Sequence, residues 1–291
     1  MKPLLKYKFP LVLGTDFAGK VIQVGARVTR FKAGDEVYGS LDARQMGAFS
    51  EYVAVADEYI SLKPQNLDFD QAASLPLVAL TVAQAFTDIA KVTAGQKVLI
   101  KAGSGGIGSF AIQYAKALGA EVATTTSAEN SDMVRKLSAD HIIDYRSQKF
   151  ENILSNYDAV LNTVDGESLE ASFSVLKKGG HMISLVGPPD KKFAQNLGLN
   201  FIFQAICGFL GRKATSLAKK TKTHYTFHFV KPSGKQLEDV KSLVEAGKIV
   251  PVIDRAFSMN QTKEALSYVA RGRSKGKVIL KIKENTSEKT R

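Results

Sequence analysis

Residues 97–127 read KVLIKAGSGGIGSFAIQYAKALGAEVATTTS, and this stretch decides the fold class. It begins with KVLIKA, a run typical of a strand buried on both faces of a sheet. A cluster of glycines follows, and then an apolar-periodic helix that Gly119 is expected to end. A strand, a glycine turn, a helix and a second strand in this order predict a phosphate-binding turn.

The glycines have the spacing of a dinucleotide-binding motif. Gly103, Gly105 and Gly108 fit G-x-G-x-x-G, and Gly106 adds a fourth glycine. Glycine lets the backbone turn tightly and approach a pyrophosphate, while the start of the helix offers unpaired N–H groups. The context favours a dinucleotide site over a plain strand–helix turn.

The end of the second strand indicates which dinucleotide is bound. An NAD site usually has an acid there, which accepts hydrogen bonds from the adenosine ribose. This strand instead ends in three threonines and Ser127, whose hydroxyls can donate to a 2′-phosphate. Glu129 is expected to cap the next helix. The sequence therefore predicts NADPH rather than NADH.

The rest of the chain suggests two domains. After Gln96 the sequence alternates strands and helices, which predicts an α/β Rossmann fold with a doubly wound parallel sheet. The first ninety residues read as short strands with glycine turns, which predicts a partly antiparallel, barrel-like domain, and KVILKI near the end returns to it. We expect a barrel-like substrate domain over 1–85 and 252–291 and an NADP-binding Rossmann domain over 86–251.

Composition is that of a soluble globular protein, with 44% hydrophobic and 23% charged residues in 291. The N-terminus has no signal-peptide pattern, which favours a cytoplasmic location. The longest apolar run, Leu197–Leu210, is too short to span a bilayer. It is expected to form a buried or interface helix, with a membrane-surface helix as the alternative.

The sequence offers no metal site. Its single cysteine, Cys207, lies in the apolar run and is expected to be buried and inert. His224 and His228 could share one helical face, but HYTFHFV alternates like a strand and supplies no third ligand. No metal is predicted.

Charge is uneven along the chain. Residues 1–170 hold 17 basic and 20 acidic side chains, whereas residues 171–291 hold 23 and 8. A basic half could bind nucleic acid or an anionic membrane. The lysines are scattered and lack aromatic stacking partners, so a solvated surface is the favoured interpretation and nucleic acid is not expected as a partner.

Several segments resemble the zinc-independent medium-chain dehydrogenase/reductase group of quinone oxidoreductases, ζ-crystallin-like proteins and alkenal or enone reductases. They include GTDFAGKVIQVGARVTRFKAGDEVYG (14–39), GAFSEYVAV (47–55) and LNTVDGESLEASFSVLKKGGHMISLVGPP (161–189). The resemblance implies a GroES-like barrel and a Rossmann domain in a homodimeric, metal-free enzyme. It also implies that NADPH supplies hydride to a quinone or an α,β-unsaturated carbonyl.

The resemblance also assigns binding residues. The residues expected to hold the pyrophosphate are Gly103, Ser104, Gly105, Gly106, Ile107 and Gly108, and those expected beside the adenosine phosphate are Thr126, Ser127, Asn130 and Tyr145. The residues expected to border the nicotinamide are Thr163, Leu185, Val186, Phe229 and Val230. The returning strand contributes Gly276 and Lys277. Many relatives have a lysine at the position of Asn130, and this chain lacks that charge. No catalytic residue is assigned, since Tyr38 and Tyr52 are expected to pack in the barrel.

The resemblance has one departure at the N-terminus. Relatives carry about forty more residues ahead of the part that matches residues 2–16. Two alternatives follow: the barrel is truncated and its substrate pocket incomplete, or the given sequence starts inside a longer protein. The alternative function, which the ζ-crystallin-like relatives and the basic second half of the chain suggest, is a low-activity NADPH-binding protein that is structural or RNA-binding.

Overall fold

The structure, a computed structural model, describes residues 9–165 and 169–282. The chain forms two compact units. Unit 1 consists of Met1–Leu80 and Lys231–Arg291, and unit 2 of Thr81–Val230. Helix α2 (Pro76–Ala83) contains the first boundary. It begins at Pro76, as expected for a residue whose fixed φ suits the first helical turn.

Unit 2 is built on a parallel sheet. Its described strands are β4 (Lys97–Ile100), β5 (Glu121–Thr126), β6 (His141–Asp144), β7 (Tyr157–Asn162), β8 (Leu176–Ser184) and β9 (His224–Phe227). Their order is β6-β5-β4-β7-β8-β9, with every neighbouring pair parallel. The order reverses beside β4, and ligands of such sheets bind at the carboxyl ends of the strands near this reversal. The predicted doubly wound fold is confirmed.

Helices cover this sheet. Those described are α3 (Gly106–Ala117), α4 (Ser131–Lys136), α5 (Leu169–Ser174), α6 (Lys191–Asn196), α7 (Phe201–Leu210) and α8 (Arg212–Thr221), with a π-helix at Gln84–Ile89. Helix α3 packs on β4 and β5. Its residues from Gly108 to Ala115 are all buried, and Gly119 follows its end at φ +82°.

Unit 1 combines an antiparallel sheet with a parallel strand pair. Its described elements are β1 (Asp16–Lys20), β2 (Glu36–Ser40), β3 (Ile60–Leu62), α1 (Phe69–Ala73), α9 (Gly234–Glu245), β10 (Ile253–Ser258), α10 (Thr262–Ala270) and β11 (Lys277–Lys281). Strands β1, β2 and β3 pair antiparallel, and β10 pairs parallel with β11. Phe31, Val37 and Ile60 form a buried cluster. The partly antiparallel character predicted for this part of the chain is confirmed.

The apolar run at residues 197–210 is only partly buried, so the expectation of a buried helix is wrong and that of an interface helix stays a prediction. The apolar run forms helix α7, as expected, and Cys207 is buried. The opposite face of the helix is not buried, since the side chain of Phe201 is 79% exposed and that of Phe209 is 73% exposed. The helix packs on α6 and α8 rather than on the sheet.

Candidate cofactor site

Two glycines allow the turn after β4 to pack against its neighbours. A Cβ atom at Gly103 would lie 2.1 Å from Thr124 Oγ1, and one at Gly108 would lie 2.2 Å from the carbonyl oxygen of Ala102. Both distances are far below van der Waals contact. Strand β4, strand β5 and the start of α3 can therefore approach this closely only because these positions have no side chain.

Gly105 differs because it is half-buried and its surroundings are less crowded. It is the N-cap of α3, and a Cβ atom there would meet only the carbonyl oxygen of Ala102, at 3.4 Å. The first N–H groups of the twelve-residue helix have no intrahelical partners. The turn thus presents unpaired donors and the positive end of a helix dipole at an accessible surface, an arrangement that fits a pyrophosphate.

The threonines at the end of β5 hold the turn in place. Thr124 Oγ1 donates to the carbonyl oxygen of Ile100 at 2.7 Å, and Thr126 Oγ1 donates to Ser104 Oγ at 3.1 Å. Thr125 Oγ1 accepts from the N–H of Ala102 at 3.1 Å. These hydroxyls therefore serve the protein itself, and the hydrogen of Thr126 is already used.

Ser104 and Asn130 keep hydrogen-bonding capacity to spare. Ser104 Oγ accepts from Thr126 and from Asn130 Nδ2, so its own hydrogen is left to donate. Asn130 Nδ2 also contacts Ser127 Oγ at 3.1 Å. Asn130 Oδ1 is buried and has no hydrogen-bond partner within the described residues. Such orphaned atoms are rare in folded proteins and indicate a place for a ligand or an ordered water.

Glu129 does not cap the following helix, contrary to the sequence prediction. Its carboxylate pairs with Arg146 Nη1 at 2.8 Å, and the N-terminus of α4 receives no side-chain cap. Arg146 also lies 5.9 Å from the ring centre of Tyr145, just beyond the end of β6. The sequence analysis missed this cation, although its position directly after Tyr145 at the end of a predicted strand was a usable signal.

The proposed nicotinamide residues all follow the carboxyl ends of β7, β8 and β9. Thr163 Oγ1 donates to the carbonyl oxygen of Lys101 at 2.7 Å, which ties β7 to β4. Leu185 and Val186 follow β8, and Phe229 and Val230 follow β9; all four are half-buried. Phe229 meets Phe193 edge to face at 6.2 Å. The fold brings these apolar side chains to the same sheet edge as the glycine turn.

Two more unpaired acceptors lie at the carboxyl ends of the strands: Asn162 Oδ1 at the end of β7 and His228 Nε2 just after β9. The other nitrogen of His228 bonds to the backbone of Thr81, and burial lowers the pKa of this imidazole to about 4, against the raising effects of Thr81 and Asp88. His228 is therefore a neutral, buried acceptor at neutral pH. It does not combine with His224, which is exposed and stacks on His181.

The predicted residues on the returning strand lie in unit 1. Gly276 has φ +89°, and a Cβ atom there would collide with the carbonyl oxygen of Val252 at 2.3 Å. Lys277 begins β11, and its Nζ lies 3.5 Å from Asp16 Oδ2. Burial raises the pKa of Asp16 and the charge of Lys277 opposes this rise. Both side chains border a cavity of about 1150 Å³ within unit 1.

The two tyrosines considered as acids differ. Tyr38 is fully buried and donates to the carbonyl oxygen of Leu237 at 2.7 Å, so its packing role is as predicted. Burial raises its pKa, which makes it a poor proton donor. Tyr52 is 64% exposed, so the prediction that it packs in the barrel is wrong.

Neither a metal cluster nor a membrane span is found in the part of the chain that the structure describes. Within residues 9–165 and 169–282, no three His, Cys, Asp or Glu side chains form a group that could hold a metal ion. No helix in the same ranges is long and apolar enough to cross a bilayer. Metal independence stays a prediction.

The doubly wound sheet and its glycine turn define a dinucleotide-binding protein, and comparisons with known proteins agree. Residues 2–65 match the GroES-like domain of alcohol dehydrogenases, and residues 137–280 match the family described as zinc-binding dehydrogenase. The chain is 36% identical to "NAD(P)H oxidoreductase RTN4IP1, mitochondrial" of Danio rerio, over 97% of this chain and 74% of that protein.

Two further proteins are similar along nearly the whole chain. It is 32% identical to the chloroplastic NADPH-dependent alkenal/one oxidoreductase of Arabidopsis thaliana, over 93% of this chain and 64% of that protein. A solved quinone oxidoreductase from Coxiella burnetii superposes with a TM-score of 0.82 at 30% identity, covering 97% of this chain and 82% of the other. The chain belongs to the medium-chain dehydrogenase/reductase family of nicotinamide-dependent oxidoreductases.

Proposed function

We propose that this chain is an NADPH-dependent reductase of quinones or α,β-unsaturated carbonyl compounds. The observation that carries the proposal is the glycine turn at the start of α3, a half-buried helix N-terminus with unpaired donors beside a strand that ends in threonine rather than an acid. The cofactor, when bound, supplies the hydride for this reaction. The chain's own residues would bind and orient the cofactor and exclude water from it.

The pyrophosphate would be held by the turn from Gly103 to Gly108. The N–H groups at the start of α3 and the spare hydroxyl hydrogen of Ser104 are donors suited to its oxygens. The unpaired Oδ1 of Asn130 can accept from a ribose hydroxyl. These groups are positioned by the threonine bonds of β5, which leaves little to reorganise on binding.

The nicotinamide would be bordered by Thr163, Leu185, Val186, Phe229 and Val230. Four of these are apolar, so they would exclude water from the transferring hydride. The hydroxyl of Thr163 is directed into the protein by its bond to Lys101, and it is not assigned as a proton donor. Gly276 and Lys277 stay predictions based on the family, and the acid that completes the reduction is unassigned.

Preference for NADPH over NADH would depend on Arg146. The chain has Asn130 where many relatives have lysine, and Arg146 supplies a positive charge at the neighbouring strand end. An arginine that pairs with Glu129 and lies by the ring of Tyr145 can bind a phosphate with its remaining N–H groups. The pairing also neutralises Glu129, the acid that could otherwise favour an unphosphorylated ribose.

The reductase proposal is tested by a turnover screen. Oxidation of NADPH and of NADH is followed by absorbance with a panel of quinones, 2-alkenals and enones. We expect turnover with NADPH and at least one of these classes. If no member of the panel gives turnover while NADPH still binds, the chain is a cofactor-binding protein of the alternative class.

The role of Arg146 is tested by Arg146→Ala. Loss of one charged contact with a phosphate should weaken NADPH binding about tenfold and leave NADH binding nearly unchanged. Binding is measured by fluorescence titration. Arg135→Ala is the matched control, since Arg135 forms a similar exposed pair with Asp132 at 2.6 Å on α4. If both variants change the affinity for NADPH and for NADH equally, Arg146 does not bind the phosphate.

Location and assembly are also part of the proposal. The relatives described above are named as mitochondrial and chloroplastic proteins, so the cytoplasmic location predicted from the sequence needs fluorescence microscopy of the tagged chain. Sedimentation-velocity measurement of the purified protein tests the expected homodimer.

A further inference from the structure

Helix α7 has a continuous apolar face exposed to solvent. The exposed positions repeat at spacings of one and four residues, so they lie on one side of the helix. They are Phe201, Ile202, Ala205, Ile206, Phe209 and Leu210. We call these six residues the α7 stripe. Scattered apolar residues are normal on a surface, but a contiguous group of this size indicates an interaction site.

The opposite side of α7 fixes the orientation of the helix. Cys207 is buried there, and Gly208 faces Lys191 closely enough that an added Cβ would lie 3.5 Å from the lysine Cβ. Gln204 Nε2 donates to the carbonyl oxygen of Leu199 at 2.7 Å, and the Asn200 side chain caps the first turn. The α7 stripe therefore faces outward as a consequence of packing on the inner side.

Basic side chains flank the stripe in sequence and lie on or just after the two helices that contact α7. Residues 191–222 contain seven Lys and Arg and no acidic residue. The seven, which we call the basic flank, are all exposed: Lys191, Lys192, Arg212, Lys213, Lys219, Lys220 and Lys222. They belong to α6, to α8 and to the residue after α8, and these are the two helices that contact α7. Arg212 lies 6.0 Å from the ring centre of Phe209, at the end of the stripe.

Charge decides which occupant fits. A second copy placed face to face would bring two basic flanks together, and like charges oppose such an interface. A nucleic acid would satisfy the lysines but would leave the aliphatic part of the stripe in water. An anionic bilayer satisfies both, because the apolar side chains enter the boundary of the acyl chains while the lysines meet the headgroups.

We propose that the α7 stripe and the basic flank form a docking surface for a bilayer that contains anionic lipids, on which the protein lies without spanning it. The proposal rests on unit 2 alone and is independent of which substrate is reduced. The two parts act together, since one short helix gives only a small apolar area and surface lysines alone attract lipids weakly at physiological salt.

Vesicle sedimentation of the full chain tests this surface. The two preparations are phosphatidylcholine alone and an equimolar mixture of phosphatidylcholine and phosphatidylglycerol. We expect co-sedimentation with the anionic vesicles only, and release by added salt. Phe201→Glu/Phe209→Glu and, separately, Lys219→Glu/Lys220→Glu should each lower the partition coefficient about tenfold or more.

Matched controls are available on other parts of unit 2. Ile153→Glu replaces an exposed apolar side chain away from α7, and Lys136→Glu/Lys149→Glu reverses two exposed lysines near the opposite edge of the sheet. Both should bind vesicles like the parent. Circular dichroism and thermal unfolding verify that each variant is folded, as expected for substitutions at exposed positions.

Three outcomes would overturn the proposal. The first is no binding to anionic vesicles, or binding that the phenylalanine variants retain. The second is a dimer, seen by sedimentation velocity, that Phe201→Glu/Phe209→Glu dissociates while vesicles are not bound. The third is binding of a test RNA that the lysine variants lose and the phenylalanine variants keep, again without vesicle binding.

Discussion

Helices α3 and α7 belong to the same unit and are both rich in apolar residues, yet the structure treats them in opposite ways. Helix α3 buries eight consecutive residues, from Gly108 to Ala115. Helix α7 has the larger fraction of apolar residues, but only Cys207 among its ten is buried. Helix α3 lies on the central strands β4 and β5, whereas α7 lies on two other helices.

Apolar composition therefore predicts that a helix packs against something, but not which surface it packs against. A helix that covers the middle of a parallel sheet is enclosed by strands and neighbouring helices. One that packs only on other helices buries a narrow side and leaves the rest for solvent, a second protein or a membrane. Substitutions at matched positions in the two helices test this explanation.

The largest difference is expected for the matched phenylalanines. Phe110 on α3 is buried and stacks with Tyr114 at 5.8 Å, so Phe110→Ala should lower the free energy of unfolding by about 3–5 kcal/mol. Phe209→Ala on α7 should change it by no more than about 0.5 kcal/mol, because that ring is exposed. Urea unfolding measures both, and equal losses would mean that the α7 stripe is covered.

The burial of His228 is expected to make the free energy of unfolding depend on pH, by about 3 kcal/mol. His228 directly follows β9, the edge strand on which α6 and α8 pack. Its pKa falls from 6.5 when unfolded to about 4 when folded, chiefly because of burial. The corresponding stability is present above pH 6.5 and is lost as the pH falls through 4, by about 3 kcal/mol in total.

The variant His228→Asn removes this titration and keeps a donor for the backbone of Thr81. Unfolding free energies measured from pH 7 to pH 4 should fall less steeply in the variant than in the parent. His141→Asn, which removes an exposed imidazole at the opposite edge strand β6, is the control for the loss of a histidine elsewhere in the sheet. A parent curve that matches His228→Asn would mean that the β9 edge is hydrated.

The smallest difference is expected for the matched glycines. Gly108→Ala on α3 would place a Cβ atom 2.2 Å from a backbone oxygen, and the shift needed should cost about 1–3 kcal/mol. Gly208→Ala on α7 meets only the Cβ of Lys191, at 3.5 Å, and should gain up to about 1 kcal/mol from helix propensity. Thermal unfolding shows whether each variant is more or less stable than the parent. A destabilised Gly208→Ala would show that the inner side of α7 is tightly packed.

Much of the fold and of the turn could be predicted from the sequence because the signals are local. The spacing from Gly103 to Gly108, the apolar strand before it and the helix after it are all read within a few residues. The strand and helix order of unit 2 followed from the same kind of periodicity. Predictions about side-chain partners were less successful. Glu129 pairs with Arg146, seventeen residues away, rather than capping the adjacent helix, and Tyr52 is exposed rather than packed.

Residue types at fixed spacing were enough to predict a glycine turn for a dinucleotide and a following strand that ends in threonine rather than an acid. Contacts between distant segments were needed to show that Thr126 supports the turn, that Arg146 at the end of β6 pairs with Glu129, and that α7 turns its apolar side outward. Each of these depends on which segments, distant in sequence, approach one another. An apolar residue will be buried only where another surface is available to cover it, and that surface is a property of the whole fold.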